Sequence, residues 1–223
     1  MNLDPRLSLA FDLYDRCALA ADIGTDHARL PAALLRQGVC DRMVLTDLSP
    51  SALENARDNI ARAGLTDRVD FRLGDGLLPL REDFGVISVL GMGGRTIHQI
   101  LTRGASRLGG AALILSAHTD LPLVRQAVQD IGLHLVSETP CLDDGRYYLI
   151  LKALPGEERL SPREIRLGRK LFESDSPVLA PYLDHRREVL EAKLAGLTRA
   201  ARPDEARIAE LKEDIRFLGG SPG

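Results

Sequence analysis

No stretch of this sequence stays apolar for the roughly 18 to 20 residues that a membrane-spanning helix needs. Its opening, MNLDPRLSLAFDLYDR, carries acids where a secretory leader would be basic. Both absences lead to the expectation of a cytoplasmic protein with no membrane partner. Cysteine is scarce, and Cys17, Cys40 and Cys141 are odd in number and never spaced as CxxC. Neither a disulfide framework nor a zinc site is indicated, no metal is expected, and the three read as small buried hydrophobes. Tryptophan is missing, and five phenylalanines and four tyrosines leave little aromatic surface on which a nucleic-acid base could stack. No sign of charge dominates, with 29 basic residues against 32 acidic ones. Any contact with a polyanion must therefore come from a local cluster, because phosphate binding is a property of patches. What is present, 44% apolar and 27% charged residues, is the composition of an ordinary folded chain.

The patterning alternates. Asp4-Pro5 reads as a cap followed by proline in the first helical turn, with Leu7, Phe11 and Tyr14 on one stripe. Apolar runs ALAADI, RMVLTD, RVDFRL, FGVISVL and AALILS follow, separated by helical stretches at 50–64, 93–103 and 120–130. Strands alternating with helices predict a parallel sheet covered on both faces. Asp144-Gly145 between two apolar runs predicts a closing hairpin, so the sheet should end in an antiparallel pair. A doubly wound sheet ending this way is the Rossmann-like α/β architecture of class I methyltransferases. LPGEERLSP, 154–162, reads as a linker. Beyond it Leu183, Leu190, Leu194 and Leu197, then Ile208, Leu211, Ile215 and Leu218, predict two helices facing one another as an antiparallel coiled-coil hairpin. The expected organisation is a catalytic domain over 1–154 and a helical hairpin over 155–223. Arg163, Arg166, Arg169 and Lys170 are spaced to form one basic edge of that appendage, although a solvated face or a dimerising pair explains it as well. A monomer is expected.

In an open α/β sheet the ligand lies beyond the carboxyl ends of the strands. Strand one ends in Asp22-Ile23-Gly24-Thr25-Asp26-His27, strand two in Asp47 beside Leu48, strand three in Gly74-Asp75-Gly76, and strand four in Gly91-Met92-Gly93-Gly94. Acids and glycines thus recur on one rim. Gly24 lets a ligand approach the backbone, Asp47 follows at the distance where an acid meets ribose hydroxyls, and Asp75 is a candidate for an adenine amino group. Asp22 and Asp26 would repel a pyrophosphate and attract a cation. S-adenosylmethionine offers an ammonium, a sulfonium and a ribose diol, and fits this set better than a dinucleotide.

ADIGTDHARLP, GDGL, LGMGG, LILSAHTDLPLVR and DDGRYYLILKA, in that order, resemble the bacterial tRNA (adenine-22-N1)-methyltransferase family, often called TrmK. The resemblance spans about residues 7–154, and that family carries a C-terminal coiled-coil hairpin. It implies methylation of N1 of an adenine in the D-arm of tRNA, with S-adenosylmethionine as donor. It further implies a cofactor pocket of Asp22, Gly24, Asp26, His27, Asp75, Gly76, Gly91, Met92 and Gly93. Asp47 stands where members often have glutamate. Ser116-Ala117-His118 replaces a Gln-Pro-Asn-like turn, which bears on the contacts to the target base.

Attack by a neutral ring nitrogen on a sulfonium methyl needs no prior deprotonation, so alignment in a dry pocket should carry most of the acceleration. Asp26 is the candidate carboxylate for the charge that develops on the purine, and His118 the candidate for contact with the base. Tyr14 or Met92 would serve for stacking, and Arg6, Arg29 and Arg36 for phosphate. Two other readings stay open: a methyltransferase acting on another RNA or a small molecule, and a nucleoside- and RNA-binding module without turnover. The thirteen basic and thirteen acidic residues from Gly156 onward give the binding module little support. A nicotinamide oxidoreductase fits least, for want of further glycines in the first loop.

Overall fold

The computed structural model describes residues 3–25, 27–200 and 202–220. Helix α1 (Pro5–Asp12) is capped by the Asp4 carboxylate, which accepts from the Leu7 N–H. Then follow β1 (Cys17–Ile23), α2 (Arg29–Arg36), β2 (Cys40–Asp47), α3 (Pro50–Arg62), β3 (Val69–Leu73), β4 (Val86–Met92), α4 (Gly94–Gly104), β5 (Ala112–Ala117) and α5 (Leu121–Asp130). The hairpin β6 (Leu133–Asp143) and β7 (Arg146–Pro155) completes a sheet in the order β3-β2-β1-β4-β5-β7-β6. The first five strands pair in parallel, while β7 lies antiparallel between β5 and β6. Strand order reverses between β1 and β4, which opens a crevice above their carboxyl ends.

Side chains alternate across the strands, so each face has its own core. Ala20, Met43, Leu45, Val86 and Ile114 pack with Leu30, Leu34 and Leu35 of α2 and Ala56 and Ile60 of α3. Ala21, Ile23, Ile87, Val89, Leu113 and Leu115 pack with Ile97 and Leu101 of α4 and Val124 and Val128 of α5. This second core runs on without interruption into the C-terminal helices α6 (Pro162–Leu167), α7 (Leu179–Thr198) and α8 (Glu205–Gly219), through Leu167, Leu183, Leu190, Leu211 and Leu218.

An ion pair with no solvent exposure reinforces that junction. Arg125 of α5 donates from Nε to the Glu138 carboxylate of β6 at 2.6 Å. It also donates to the carbonyls of Ile165 and Arg166 at 3.0 and 3.3 Å. The second Glu138 oxygen accepts from the N–H groups of Lys170 and Leu171. Of the Arg125 nitrogens Nη2 alone lacks a partner; the bonds that are made offset the burial of the two charges and fix the chain leaving α6 against the sheet. The basic edge expected at 163–170 is consumed by carboxylates: Arg163 meets Glu213, Arg166 meets Glu210 and Asp214, Arg169 meets Glu158, and Lys170 meets Glu173.

Candidate functional site

Two recesses adjoin above the crevice and share Gly24. The first, about 320 Å³, brings together Asp47, Leu48, Asp75, Gly76 and Met92, from the ends of β2, β3 and β4. Asp47 is held by its own turn, one carboxylate oxygen accepting from the Ser49 N–H at 2.7 Å. Leu48, 68% exposed, stands at the mouth as an apolar flap. Three residues of α4 that the strand-end rule could not supply close the other side, namely Thr96, Gln99 and Arg103. Arg103 reaches Asp75 at 2.9 Å.

The second recess, about 340 Å³, is lined by Asp22, His27, Gly91, His118, Arg6 and Arg29 from the expected set, and by Tyr148, which comes from the closing hairpin. Arg6 lies over the Tyr148 ring at 5.3 Å, and His118 meets that ring edge-on at 5.7 Å. The aromatic surface of this site is therefore Tyr148. Tyr14, the sequence-based candidate, is buried in the core beneath, beside Ser88 and Asp22, and burial pushes its hydroxyl well above the usual phenol range. Its stripe with Leu7 and Phe11 is a packing stripe. Arg29 is held by Asp4 at 2.9 Å, and Arg36 ends α2 outside both recesses. Asp26 lies outside the described residues.

Gly24 is where the two recesses meet. Its φ of +75° is one that side-chain-bearing residues avoid, and a Cβ there would sit 1.9 Å from the terminal methyl of Met92. Met92 therefore lays its flexible, polarisable tip against Gly24 at the edge of the first recess. Gly93 caps α4, and the Gly94 N–H donates to the Thr119 carbonyl. That contact brings the segment after β5 against β4 and sets His118 on the rim. Ser116 and Ala117 are buried within β5, so of the three residues that depart from the family pattern only His118 faces the site.

Asp22 carries the dominant electrostatic feature. It is 8% exposed, and burial raises its carboxyl from 3.8 to about 6 against the opposing effect of the Ser88 hydroxyl, which donates to it at 2.5 Å. Asp47 adds repulsion from the next strand. A buried acid held at such a cost and facing a recess is a candidate receptor for a cation. With Gly24 removing a side chain and Asp47 set for a diol, the residues present fit an S-adenosyl cofactor.

A third groove starts at His118, which it shares with the second recess, and runs between the sheet and the C-terminal helices past Tyr147, His185, Arg186 and Lys193. His185 stacks at 5.1 Å on Tyr147. Among the described residues no group of three or more His, Cys, Asp or Glu side chains could hold a metal ion, and no helix is long and apolar enough to cross a membrane.

Residues 20–220 match the family model of tRNA (adenine(22)-N(1))-methyltransferase. A curated protein of that description from Bacillus subtilis (strain 168) is 28% identical over 159 residues, covering 70% of this chain and 67% of that protein. Among solved structures, Streptococcus pneumoniae Sp1610, assigned as a candidate tRNA (m1A22) methyltransferase, superposes with a TM-score of 0.87 at 28% identity over 98% of both chains. The same protein in complex with S-adenosyl-L-methionine superposes with a TM-score of 0.83 at 28% identity over 96% of both chains.

Proposed function

The chain belongs to the tRNA (adenine(22)-N(1))-methyltransferase family, and from that premise we propose how its residues divide the work. The protein transfers a methyl group from S-adenosylmethionine to N1 of adenine 22 in tRNA. The observation that supports our division is the pair of recesses meeting at Gly24. One takes the adenosine of the cofactor and the other takes the target base. In this reading Asp47 binds the ribose diol, Leu48 covers the adenine, Asp75 accepts from its amino group once Arg103 yields, and Asp22 receives the methionine ammonium. His27, Gly76, Gly91 and Gly93 complete the backbone lining.

When bound, the cofactor supplies an electrophilic methyl on a sulfonium, and transfer to N1 leaves a neutral thioether and a positively charged adenine. The protein's part is placement. N1 lies on the pairing edge, so the base must leave its stack before transfer. Tyr148 and His118 offer the surfaces that receive it, and Arg6, poised over Tyr148, turns to the nucleotide's phosphate. Met92, swung aside from Gly24, shields the reacting atoms from water. Asp26 is proposed as the carboxylate facing the developing charge. The groove from His118 to Lys193 carries the flanking strand, with residues 1–154 performing transfer and 155–223 gripping RNA in the cytoplasm.

Purified protein should move labelled methyl from S-adenosylmethionine to unmodified tRNA, with a reverse-transcription stop at adenine 22 and no transfer when that adenine is replaced by guanosine. Label on another base overturns the assignment of position. Label on no RNA overturns the assignment of acceptor.

A further inference from the structure

Cys17 and Cys40 are unrelated in sequence, yet they begin neighbouring parallel strands and are direct register partners. Their sulfurs are 3.6 Å apart, in van der Waals contact. Cys40 is fully buried and Cys17 partly exposed, so one thiol of the pair reaches solvent and the other is held behind it. Adjacent strands set Cα atoms about 4.8 Å apart, within the range of about 4.4 to 6.8 Å that disulfides span. A turn of the two side chains suffices to bond them.

We propose that Cys17 and Cys40 form a site of oxidative modification that closes to an intramolecular disulfide on reaction with a hydroperoxide. The Cys17 thiolate attacks the terminal peroxide oxygen. The O–O bond breaks, water or an alcohol leaves with the thiol proton, and Cys17 becomes a sulfenic acid. The Cys40 sulfur then attacks the Cys17 sulfur, the S–O bond breaks, and hydroxide departs as water with the Cys40 proton. Two thiols and one hydroperoxide thus give one disulfide, one water and one water or alcohol.

The contact supports this order of events. The Cys17 thiol is pulled below its ordinary value chiefly by the Cys40 sulfur beside it, whereas Cys40 is pushed far up by that pairing and by burial. Cys141, alone in β6, is pushed up to about 11 by burial and is no competitor for peroxide. The pair lies at the amino ends of β1 and β2, and Asp22 and Asp47 lie towards their carboxyl ends, roughly 20 Å away along the strands. The crosslink therefore pins the two strands that bear the principal acids of the cofactor site without entering it.

The test treats the full reduced chain with hydrogen peroxide and maps its peptides without reduction. The expected result is a Cys17–Cys40 crosslinked peptide and an intact mass lower by two hydrogens, with Cys141 still a thiol. Closing a loop of this length should raise Tm by about 5 to 10 °C, reversibly with dithiothreitol. Cys40→Ser should instead leave Cys17 as a sulfenic acid that dimedone traps, and Cys17→Ser should show neither product nor shift. Oxidation of Cys17 in the wild-type chain without the crosslink, or a crosslink through Cys141 or between chains, overturns the proposal.

Discussion

Replacing Asp22 by asparagine should stabilise the protein while disabling it. Burial raises the Asp22 carboxyl from 3.8 to about 6. At about 1.4 kcal/mol per pH unit, the ionised form costs about 3 kcal/mol of folding free energy above that value. The folded state binds the proton more tightly than the unfolded one, so this cost is absent below the ordinary value of 3.8, grows between 3.8 and about 6, and is constant above. Asparagine removes the charge and still accepts from Ser88, so Asp22→Asn should gain up to about 3 kcal/mol near pH 7.5, a rise in Tm of about 6 to 12 °C for a chain of this size. Near pH 4 the gain should vanish. Calorimetric unfolding of both proteins at the two pH values measures it directly. The same variant should bind S-adenosylmethionine about ten- to a hundredfold more weakly, through loss of a charge-assisted hydrogen bond. Wild-type affinity should itself fall about tenfold for each pH unit below the raised value, because the cofactor's ammonium needs the ionised acid. A variant less stable than wild type near pH 7.5, or a gain equal at both pH values, refutes the reasoning that this carboxylate is held under strain to meet a cation.

Asp47→Ala should leave the fold intact and raise the dissociation constant for S-adenosylmethionine at least tenfold by calorimetry; an unchanged constant removes Asp47 from the ribose. Tyr148→Ala should leave cofactor affinity alone and lower kcat/KM for tRNA about ten- to a hundredfold, the value of one stacked base, so a change confined to cofactor affinity contradicts its place in the acceptor recess. Glu138→Gln should destabilise the protein by about 3 to 5 kcal/mol in urea, because it strands the Arg125 charge. The double change Arg125→Met with Glu138→Leu should not recover that loss, because it leaves the carbonyls of Ile165 and Arg166 and the N–H groups of Lys170 and Leu171 without their partners.

The alternation of strands and helices was legible because both faces of the central sheet are buried, which gives β1, β2, β4 and β5 continuous buried runs and the helices packed on them one apolar stripe each. The acids and glycines of both recesses were legible for a related reason. Topology alone sends the ends of consecutive parallel strands to one rim, so Asp22, Asp47, Asp75 and Gly91 could be gathered without knowing any distance. Nothing in spacing could bring Arg6 to Tyr148, because that contact depends on where a terminal hairpin inserts beside β5. Tyr14 was misread for the opposite reason: a residue in step with Leu7 and Phe11 is in step with the core. In the basic edge at 163–170, Arg163 and Arg166 are taken by carboxylates of α8 far along the chain, which spacing does not report, whereas Arg169 and Lys170 are taken by the nearby Glu158 and Glu173; the buried pair of Arg125 and Glu138 breaks the rule that charge marks surface. The nearness of Cys17 to Cys40 is a product of strand register, which cysteine spacing does not report.

Two recesses meet at Gly24, and the proposed function gives one to each partner in the transfer. A crystal structure of the protein with S-adenosylhomocysteine and adenosine tests it most directly. The expected result is the cofactor's ribose on Asp47, its amino group at Asp22, its sulfur over Gly24, and the free adenosine against Tyr148 with N1 turned towards that sulfur. A cofactor seated between Arg6 and His118, or an adenosine outside the Tyr148 recess, contradicts it.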